Sequence, residues 1–207
     1  MKQRVAVIDY DLGNLRSVVG AVEKVGHQAT ITRSVEEMEA ADKLILPGVG
    51  AFGDGMANLR DLKLVEPLTR LVIREKKPIL GICLGFQLLA RDSTEFGYHP
   101  GLGWIDASVV PLDPGDSKLR VPHVGWNEAF RLKESSLFHD VPTDALFYYV
   151  HSFRVMCDDP DSTVAECDYG ARFAAVFQRD NIYGTQFHPE KSQLHGLGIV
   201  KNFIEGS

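Results

Sequence analysis

The sequence predicts an α/β fold: a doubly wound, largely parallel central sheet with helices on both faces and an additional mixed or antiparallel part in the C-terminal half. Two observations lead to this prediction. Up to Ser93, short apolar runs alternate with amphipathic segments of helical periodicity, the pattern of parallel strands joined by helices. Beyond Ser93, glycines and prolines become frequent and the apolar runs shorten, which indicates strands of mixed direction. Because no linker-like tract separates the two halves, we expect one domain over residues 1–207.

The predicted elements follow in chain order. Four early strands share a short apolar run with a polar, glycine or proline boundary: Arg4–Ile8, Gln28–Thr32, Lys43–Leu46 and Pro78–Ile82. The predicted helices share apolar residues three or four positions apart: one from an N-cap at Asn14 to Gly26, a short one with Ser34 and Glu37 as its capping box, and two more over Leu64–Lys77 and Cys83–Arg91. The later strands are predicted at Ile105–Pro111, Leu119–Val121, Ala145–Val150, Phe173–Arg179 and Ile182–Phe187, with a last helix over Leu197–Phe203.

Composition and charge exclude several classes of protein. Of the 207 residues, 44% are hydrophobic and 24% charged, which is ordinary for a globular protein and too apolar for a disordered one. The net charge is −6 and no basic stripe occurs, so we expect no nucleic-acid partner. No apolar run approaches the roughly twenty residues of a membrane span, and charges come too early for a secretory signal, so we expect no membrane association. Three cysteines without paired spacing fit a reducing compartment, which predicts a cytoplasmic protein.

The segment Gly81-Ile82-Cys83-Leu84-Gly85 stands where a buried strand passes into a helix. A nucleophile between two small residues at such a junction is the nucleophile-elbow pattern, here with cysteine in place of serine. Glycine removes side chains that would clash in the sharp turn, and the helix N-terminus favours the thiolate form of Cys83. The backbone N–H of Leu84 is free to face an oxyanion. A buried core cysteine is the alternative interpretation, and the two flanking glycines disfavour it.

A base for that thiol is predicted at His188-Pro189-Glu190, directly after an apolar run. Pro189 favours an extended conformation of His188, so we expect the side chains of His188 and Glu190 to project to the same side. Four other histidines stand in polar or turn-like contexts with no orienting acceptor nearby: His27, His99, His139 and His195. The pattern therefore predicts a nucleophile, a base and an orienting carboxylate at Cys83, His188 and Glu190.

The loop Gly48-Val49-Gly50-Ala51-Phe52-Gly53 has the spacing of a dinucleotide-binding fingerprint. Pro47 leads directly into the loop, and no acidic residue ends a strand about twenty residues further on, so we reject that interpretation. The backbone N–H groups of the loop instead predict the second half of an oxyanion hole, with Leu84 as the first. Neither paired CxxC nor HExxH spacing occurs, so we predict no metal site, and the chemistry requires no cofactor.

In these motifs the sequence resembles the class I glutamine amidotransferases. The segments Gly81–Gln87 and His188–Glu190 are similar to the two halves of that family's catalytic triad. Further segments are similar to one branch of the family, the glutaminase subunits of imidazole glycerol phosphate synthases: Asp9-Tyr10 with Gly13–Ser17, Pro47–Phe52, Pro122–Asn127, and Tyr148 with Val150–Ser152.

The resemblance implies a role for each candidate residue. Cys83 would attack the side-chain amide of L-glutamine, His188 would act as general base and acid, and Glu190 would orient His188. The oxyanion hole is implied at Val49, Gly50 and Leu84. The residues implied to hold glutamine are Gly48, Gln87, Ser152 and Phe153. The residues implied near the partner and the ammonia exit are Tyr148 and Lys191.

The resemblance also implies a reaction and a partner. The chain would release glutamate and ammonia through a thioester on Cys83. It would pass the ammonia to a separate synthase or cyclase subunit of a heterodimer, which makes imidazole glycerol phosphate and AICAR in histidine biosynthesis. The segments Arg91–Gly97 and Trp104–Asp106 depart from the branch pattern, which leaves open a paralogue that feeds another synthase, such as one forming an amidino sugar. A non-catalytic scaffold and another kind of cysteine hydrolase are further alternatives; the presence of both Cys83 and His188 disfavours the first, and Glu190 disfavours the second.

Overall fold

The computed structural model describes residues 2–115 and 117–206. The elements in chain order are β1 (Arg4–Ile8), α1 (Leu15–Lys24), β2 (Gln28–Thr32), α2 (Val35–Ala40), β3 (Lys43–Gly48), α3 (Phe52–Asp61), α4 (Val65–Thr69), β4 (Ile79–Cys83), α5 (Leu84–Leu88), β5 (Ala90–Ser93), β6 (His99–Pro100), β7 (Ile105–Pro111), β8 (His123–Glu128), β9 (Phe130–Arg131), β10 (Leu146–His151), β11 (Phe153–Cys157), β12 (Thr163–Asp168), β13 (Arg172–Arg179), β14 (Ile182–Thr185) and α6 (Gln193–Glu205). A π-helical turn, Arg70–Arg74, continues α4, and 3₁₀ turns cover Ser136–Phe138, Pro160–Ser162 and Pro189–Lys191.

The main sheet has eight strands in the order β2-β1-β3-β4-β14-β13-β12-β9. The strands from β2 to β14 run parallel, and β13, β12 and β9 extend the sheet in antiparallel fashion. A four-stranded sheet, β11-β7-β5-β6, and a two-stranded sheet, β10-β8, complete the C-terminal half. The predicted fold class, a largely parallel sheet with a mixed part after the first half, is confirmed.

The parallel strands bury both of their faces. Val5 and Val7 of β1 pack in one core with residues of α1 and α6, whereas Ala6 and Ile8 pack in the other with residues of α2, α3 and α5. Successive strand residues point to opposite faces, so a strand between two helical layers must be apolar at every position. This double burial explains the continuous apolar runs inside β1, β3 and β4, which follow the charged first residues Arg4 and Lys43 in β1 and β3. None of the helices in the described ranges is long and apolar enough to cross a membrane.

Helix α3 begins inside the glycine-rich loop, where the sequence analysis assigned no element. Glycine lowers helix propensity, which masks the helical spacing of Phe52, Met56 and Leu59. All three are buried against the core, and tertiary packing outweighs the propensity. Gly55 serves this packing, because an added Cβ would lie 3.1 Å from the side chain of Leu88.

Two predicted elements are wrong: one helix is too long, and one strand is not formed. The helix predicted over Cys83–Arg91 ends at Leu88, and Ala90–Ser93 forms β5, which pairs with β7 in parallel. The strand predicted at Leu119–Val121 is irregular chain; Leu119 and Val121 are 43% and 44% exposed, and the next residue, Pro122, has no N–H for a ladder. The strand of this region is β8, which pairs with β10.

Other bounds shift for local reasons. The helix predicted over Leu64–Lys77 is divided into α4 and the π-helical turn, whose bonds skip five residues, as in Glu75 N–H to Arg70 O. The strand predicted over Ile182–Phe187 ends at Thr185. The last helix is longer than Leu197–Phe203, because it begins after the 3₁₀ turn that contains Glu190.

Candidate active site

Cys83 ends β4 and directly precedes α5. Its backbone has φ 52° and ψ −109°, a conformation that non-glycine residues rarely adopt. The neighbouring glycines permit this turn: a Cβ at Gly81 would lie 2.7 Å from the Cα of Phe86, and one at Gly85 would overlap the carbonyl of Leu46. The strand–turn–helix junction therefore has the sterics that the sequence pattern predicts.

The thiol of Cys83 is buried between two polar groups. Its Sγ lies 3.9 Å from the carbonyl oxygen of Val150 and 3.8 Å from Nε2 of Gln186. Helix α5 covers only Leu84–Leu88, so its dipole supports a thiolate less than the longer predicted helix would.

His188 and Glu190 form a buried pair. The Nδ1 of His188 lies 2.8 Å from Oε1 of Glu190, and the two side chains are 2% and 3% exposed. His188 is extended, as Pro189 predicts, but Glu190 lies in a 3₁₀ turn. The turn, and not strand alternation, brings the carboxylate of Glu190 onto the imidazole of His188. The predicted pair is therefore present, but the predicted geometry of an extended segment is wrong.

The electrostatics of the pair favour a charged imidazole. Burial is the largest influence and lowers the pKa of His188, but the Cys83 sulfur and the Glu190 carboxylate together raise it to about 9. Within the described chain, Nε2 of His188 has no hydrogen-bond partner. The ring is therefore held by Glu190 on one side and leaves the nitrogen toward Cys83 for proton transfer.

Two of the histidines that were expected to lack an acceptor have a carboxylate partner: His27, and His139, whose Nε2 lies 3.4 Å from Oδ2 of Asp140 at the exposed surface. The Nε2 of His27 lies 3.2 Å from Glu205, and its Nδ1 accepts from the backbone N–H of Gln3. The expectation that His27 lacks an orienting acceptor is wrong, because Glu205 is distant in the sequence and adjacent in the fold. His27 precedes β2, at the opposite end of the parallel strands from Cys83, so this pair cannot serve the thiol.

Sheet order brings the three sequence motifs together. Strand β4 lies between β3 and β14, and all three run parallel. The loop after β3, the thiol at the end of β4 and the base after β14 therefore meet at one edge of the sheet. Gly48 is the register partner of Cys83, and an added Cβ there would overlap the hydroxyl of Tyr10.

A cavity of about 440 Å³ opens at this edge. Its lining includes Cys83 and most of the candidate residues: Val49, Gly50, Leu84, Gln87, Ser152, Phe153 and Lys191. Gly50 has φ +112°, a conformation that favours glycine. Tyr148 lies next to Lys191: the centre of the Tyr148 ring is 5.8 Å from Nζ of Lys191. A larger surface cavity, about 730 Å³ beside α6, contains none of these residues.

Sequence reasoning missed three polar residues of the site: Glu95, His151 and Gln186. The carboxylate of Glu95 lines the cavity and accepts from the N–H of Phe52 at 2.7 Å. Burial raises the pKa of Glu95, against the opposing effect of that N–H. The signal for Glu95 was weak because it stands in the segment that departs from the branch pattern, and Gln186 stands inside a largely apolar run.

Comparisons with known proteins agree with this geometry. Residues 6–206 match the family described as "Glutamine amidotransferase class-I". The chain is 48% identical to "Imidazole glycerol phosphate synthase subunit HisH" of Geobacter sulfurreducens over 98% of both chains. It is 45% identical to "Imidazole glycerol phosphate synthase subunit HisH 2" of Pseudomonas aeruginosa over 97% of this chain and 98% of the relative.

Solved structures show the same fold at lower identity. The "Structure of PurLQS from Thermotoga maritima" aligns with a TM-score of 0.76 and 21% identity, over 100% of this chain and 99% of that one. A putative GMP synthase subunit from Thermoplasma acidophilum aligns with a TM-score of 0.72 and 22% identity, over 99% and 93%. The chain belongs to the class-I glutamine amidotransferase family, in the branch of the HisH subunits of imidazole glycerol phosphate synthase.

Proposed function

We propose that this chain is the glutaminase subunit of an imidazole glycerol phosphate synthase, with Cys83 as nucleophile. The observation that carries the proposal is the buried Cys83, His188 and Glu190 set beside a cavity of about 440 Å³. Transfer of the thiol proton to Nε2 of His188 forms a thiolate–imidazolium pair before the substrate reacts, and the thiolate then attacks the side-chain carbonyl of glutamine. Backbone N–H groups of Leu84 and of Val49 or Gly50 stabilise the oxyanion. His188 then protonates the leaving ammonia, and water activated by the same imidazole hydrolyses the thioester.

The lining of the cavity fits glutamine. The carboxylate of Glu95 offers an acceptor for the α-ammonium group of the substrate. Both N–H groups of the Gln87 amide are already committed, one to Phe153 O at 3.0 Å and one to Gln186 Oε1 at 3.1 Å. Gln87 therefore presents its oxygen, which accepts from the carboxamide N–H of glutamine. We assign Gly48, Ser152 and Phe153 to the same substrate subsite, with Gly48 holding the loop close to the thiol.

The proposed partner is a separate cyclase subunit in a heterodimer. Ammonia protonates in water at neutral pH, so it must reach its acceptor without release. The HisH relatives are named as synthase subunits, and their identity of 45% and 48% supports the same assembly for this chain. Tyr148 and Lys191, beside the cavity, are assigned to the ammonia exit. The ring of Trp126, 45% exposed, packs edge-to-face on Tyr148 and offers an apolar contact for the partner. Three free cysteines support a cytoplasmic location.

The test is glutamate release by the chain with its cyclase subunit. Cys83→Ala is expected to abolish hydrolysis while preserving the fold and partner binding. Cys157→Ala and Cys167→Ala are matched controls and are expected to stay near the wild-type rate. Retention of hydrolysis by Cys83→Ala would overturn the proposal. If the chain hydrolyses glutamine but its ammonia is not used to form imidazole glycerol phosphate, the glutaminase assignment would stand and the assignment to this pathway would be wrong.

A further inference from the structure

We propose that Gln186 is a further catalytic residue, whose side-chain amide donates a hydrogen bond to the thiolate of Cys83 and stabilises it. The proposal rests on Cys83 being the nucleophile, as proposed above. Gln186 follows β14, is 0% exposed, and approaches the sulfur with Nε2 at 3.8 Å. It contacts the reacting atom from the protein interior rather than from the lining of the substrate cavity.

The orientation of the Gln186 amide is fixed by its neighbour. The Oε1 of Gln186 accepts from Nε2 of Gln87 at 3.1 Å. A reversed amide would place two N–H groups against each other at that contact. Oε1 must therefore face Gln87, and the NH₂ group must face the sulfur.

A buried chain of hydrogen bonds holds Gln87 in turn. Its second N–H donates to the carbonyl of Phe153 at 3.0 Å. The same carbonyl lies 2.8 Å from Nδ1 of His151, so Nδ1 carries the proton. Nε2 of His151 is then an acceptor, and Nδ1 of His123, 3.1 Å away, must donate to it. Each donor in this network is therefore assigned: His123 donates to His151 and His151 to the Phe153 carbonyl, whereas Gln87 donates both to that carbonyl and to Gln186.

The two histidines of this hydrogen-bond network, His123 and His151, are neutral at neutral pH. Burial lowers the pKa of His123 to about 4 and that of His151 to about 3. The ring of His123 is stacked between Tyr149 and Tyr169, with ring centres 4.8 and 3.9 Å away. A neutral pair that is buried and stacked on aromatic rings keeps the tautomers described above, so Gln186 presents the same donor throughout the reaction.

The two polar neighbours of the sulfur suit its two protonation states. When Cys83 carries its proton, S–H donates to the carbonyl of Val150 at 3.9 Å. When the proton moves to Nε2 of His188, negative charge remains on Sγ, where a carbonyl dipole is unfavourable and an N–H donor is favourable. A donor gains more from a charged acceptor than from a neutral one. Gln186 therefore favours the thiolate without adding a charge to the site.

The titratable groups that face Cys83 come from several elements. They are Tyr10 after β1, Glu95 after β5, His151 of β10, and His188, Glu190 and Lys191 after β14. A change at Gln186 leaves all of them in place. A shift in the titration of Cys83 on that change therefore reports the lost donor.

The experiment measures alkylation of Cys83 by iodoacetamide across pH in the full chain, read on the Cys83 peptide by mass spectrometry. Gln186→Met keeps the length of the side chain and removes the donor. The alkylation midpoint is expected to rise by about one pH unit, the lower end of the effect of a hydrogen bond to a charge, because the N···S contact is long. Gln186→Glu keeps the acceptor for Gln87 and places an anion near the sulfur. The alkylation midpoint should therefore rise further than in Gln186→Met.

Thr185→Val is the matched control. Thr185 is the adjacent buried residue, and its hydroxyl bonds to Phe187 O at 3.1 Å without touching Cys83. Its midpoint is expected to equal that of the wild type. An unmoved midpoint in a folded Gln186→Met variant, or an equal shift in Thr185→Val, would overturn the proposal.

A second measurement needs no variant of Gln186. In the wild-type chain, the side-chain amide resonance of Gln186 is expected to titrate with Cys83, and this titration should vanish in Cys83→Ala. A resonance that does not respond would overturn the proposal even if the Gln186 variants fail to fold. Failure of the proposed function would give a different result, because glutaminase activity would then survive in Cys83→Ala.

Discussion

Replacing Glu190 by glutamine tests how much of the base depends on a charged partner. Glu190 accepts from His188 Nδ1 at 2.8 Å in a buried environment. A hydrogen bond to a charged group contributes about 1.5–3 kcal/mol and one between neutral groups about 0.5–1.5 kcal/mol. The variant therefore loses about 1–1.5 kcal/mol at this contact, which lowers the pKa of His188 by about one unit from its value of about 9.

A second cost arises at the other carboxylate oxygen. Oε2 of Glu190 is buried and has no partner among the described residues. An amide NH₂ placed there would be unsatisfied, which costs about 1–3 kcal/mol and favours the reversed amide with the wrong histidine tautomer. Together these losses, about 2–4.5 kcal/mol, correspond to a fall in turnover of roughly 30- to 2,000-fold. His188→Ala removes the base itself and is expected to cost at least as much, about 10²–10⁴-fold in the usual range for a general base.

The assay is glutamate release with the cyclase subunit present, measured across pH. The active ion pair needs a charged His188, so the alkaline limb of kcat/KM should move to lower pH in Glu190→Gln. The free energy of unfolding also decreases with rising pH. The raised pKa of His188 contributes stability that is fully present below the pKa of about 6.5 in the unfolded chain and is lost as pH rises through about 9. A Gln variant within threefold of the wild type, or one more impaired than His188→Ala, would refute the orienting role of Glu190.

Three further outcomes are expected. Glu95→Gln should raise KM for glutamine about tenfold or more with a smaller change in kcat, because it removes the charge facing the substrate ammonium; a selective loss of kcat would contradict this. Gly184→Ala should lower the urea midpoint, since its Cβ would overlap the ring of Phe86, whereas Gly20→Ala in open space on α1 should raise stability by about 0.5–1 kcal/mol. The chain without its partner should hydrolyse glutamine about 10²–10³-fold more slowly, if docking turns the peptide at Gly50 to complete the oxyanion hole; a fast isolated chain would contradict the gating.

The parallel strands and the nucleophile were predictable because each has a local cause. Burial on both faces makes strands such as Ile79–Cys83 apolar throughout, and the sharp turn at Cys83 requires small neighbours. These constraints act over a few residues, so a single sequence displays them. The His188–Glu190 pair was predictable for the same reason, although a turn and not a strand forms it.

What could not be predicted depends on distant contacts. Helix α3 forms because Phe52, Met56 and Leu59 pack against the core, and β5 forms because β7 is available to pair with it. Gln186 gains its role from Gln87, about a hundred positions earlier, through a contact that no periodicity encodes. Such features become visible only when the sheet order is known.

The last strand of the chain, β14, lies in the middle of the main sheet, between β4 and β13. During synthesis, β4 and its thiol therefore emerge long before the strand that pairs with them, and before the base that follows it. Until β14 is inserted, β4 has an open edge, which is prone to pairing with other chains. The same arrangement keeps a partly made chain from hydrolysing glutamine, because nucleophile and base meet only when the sheet closes around its final strand.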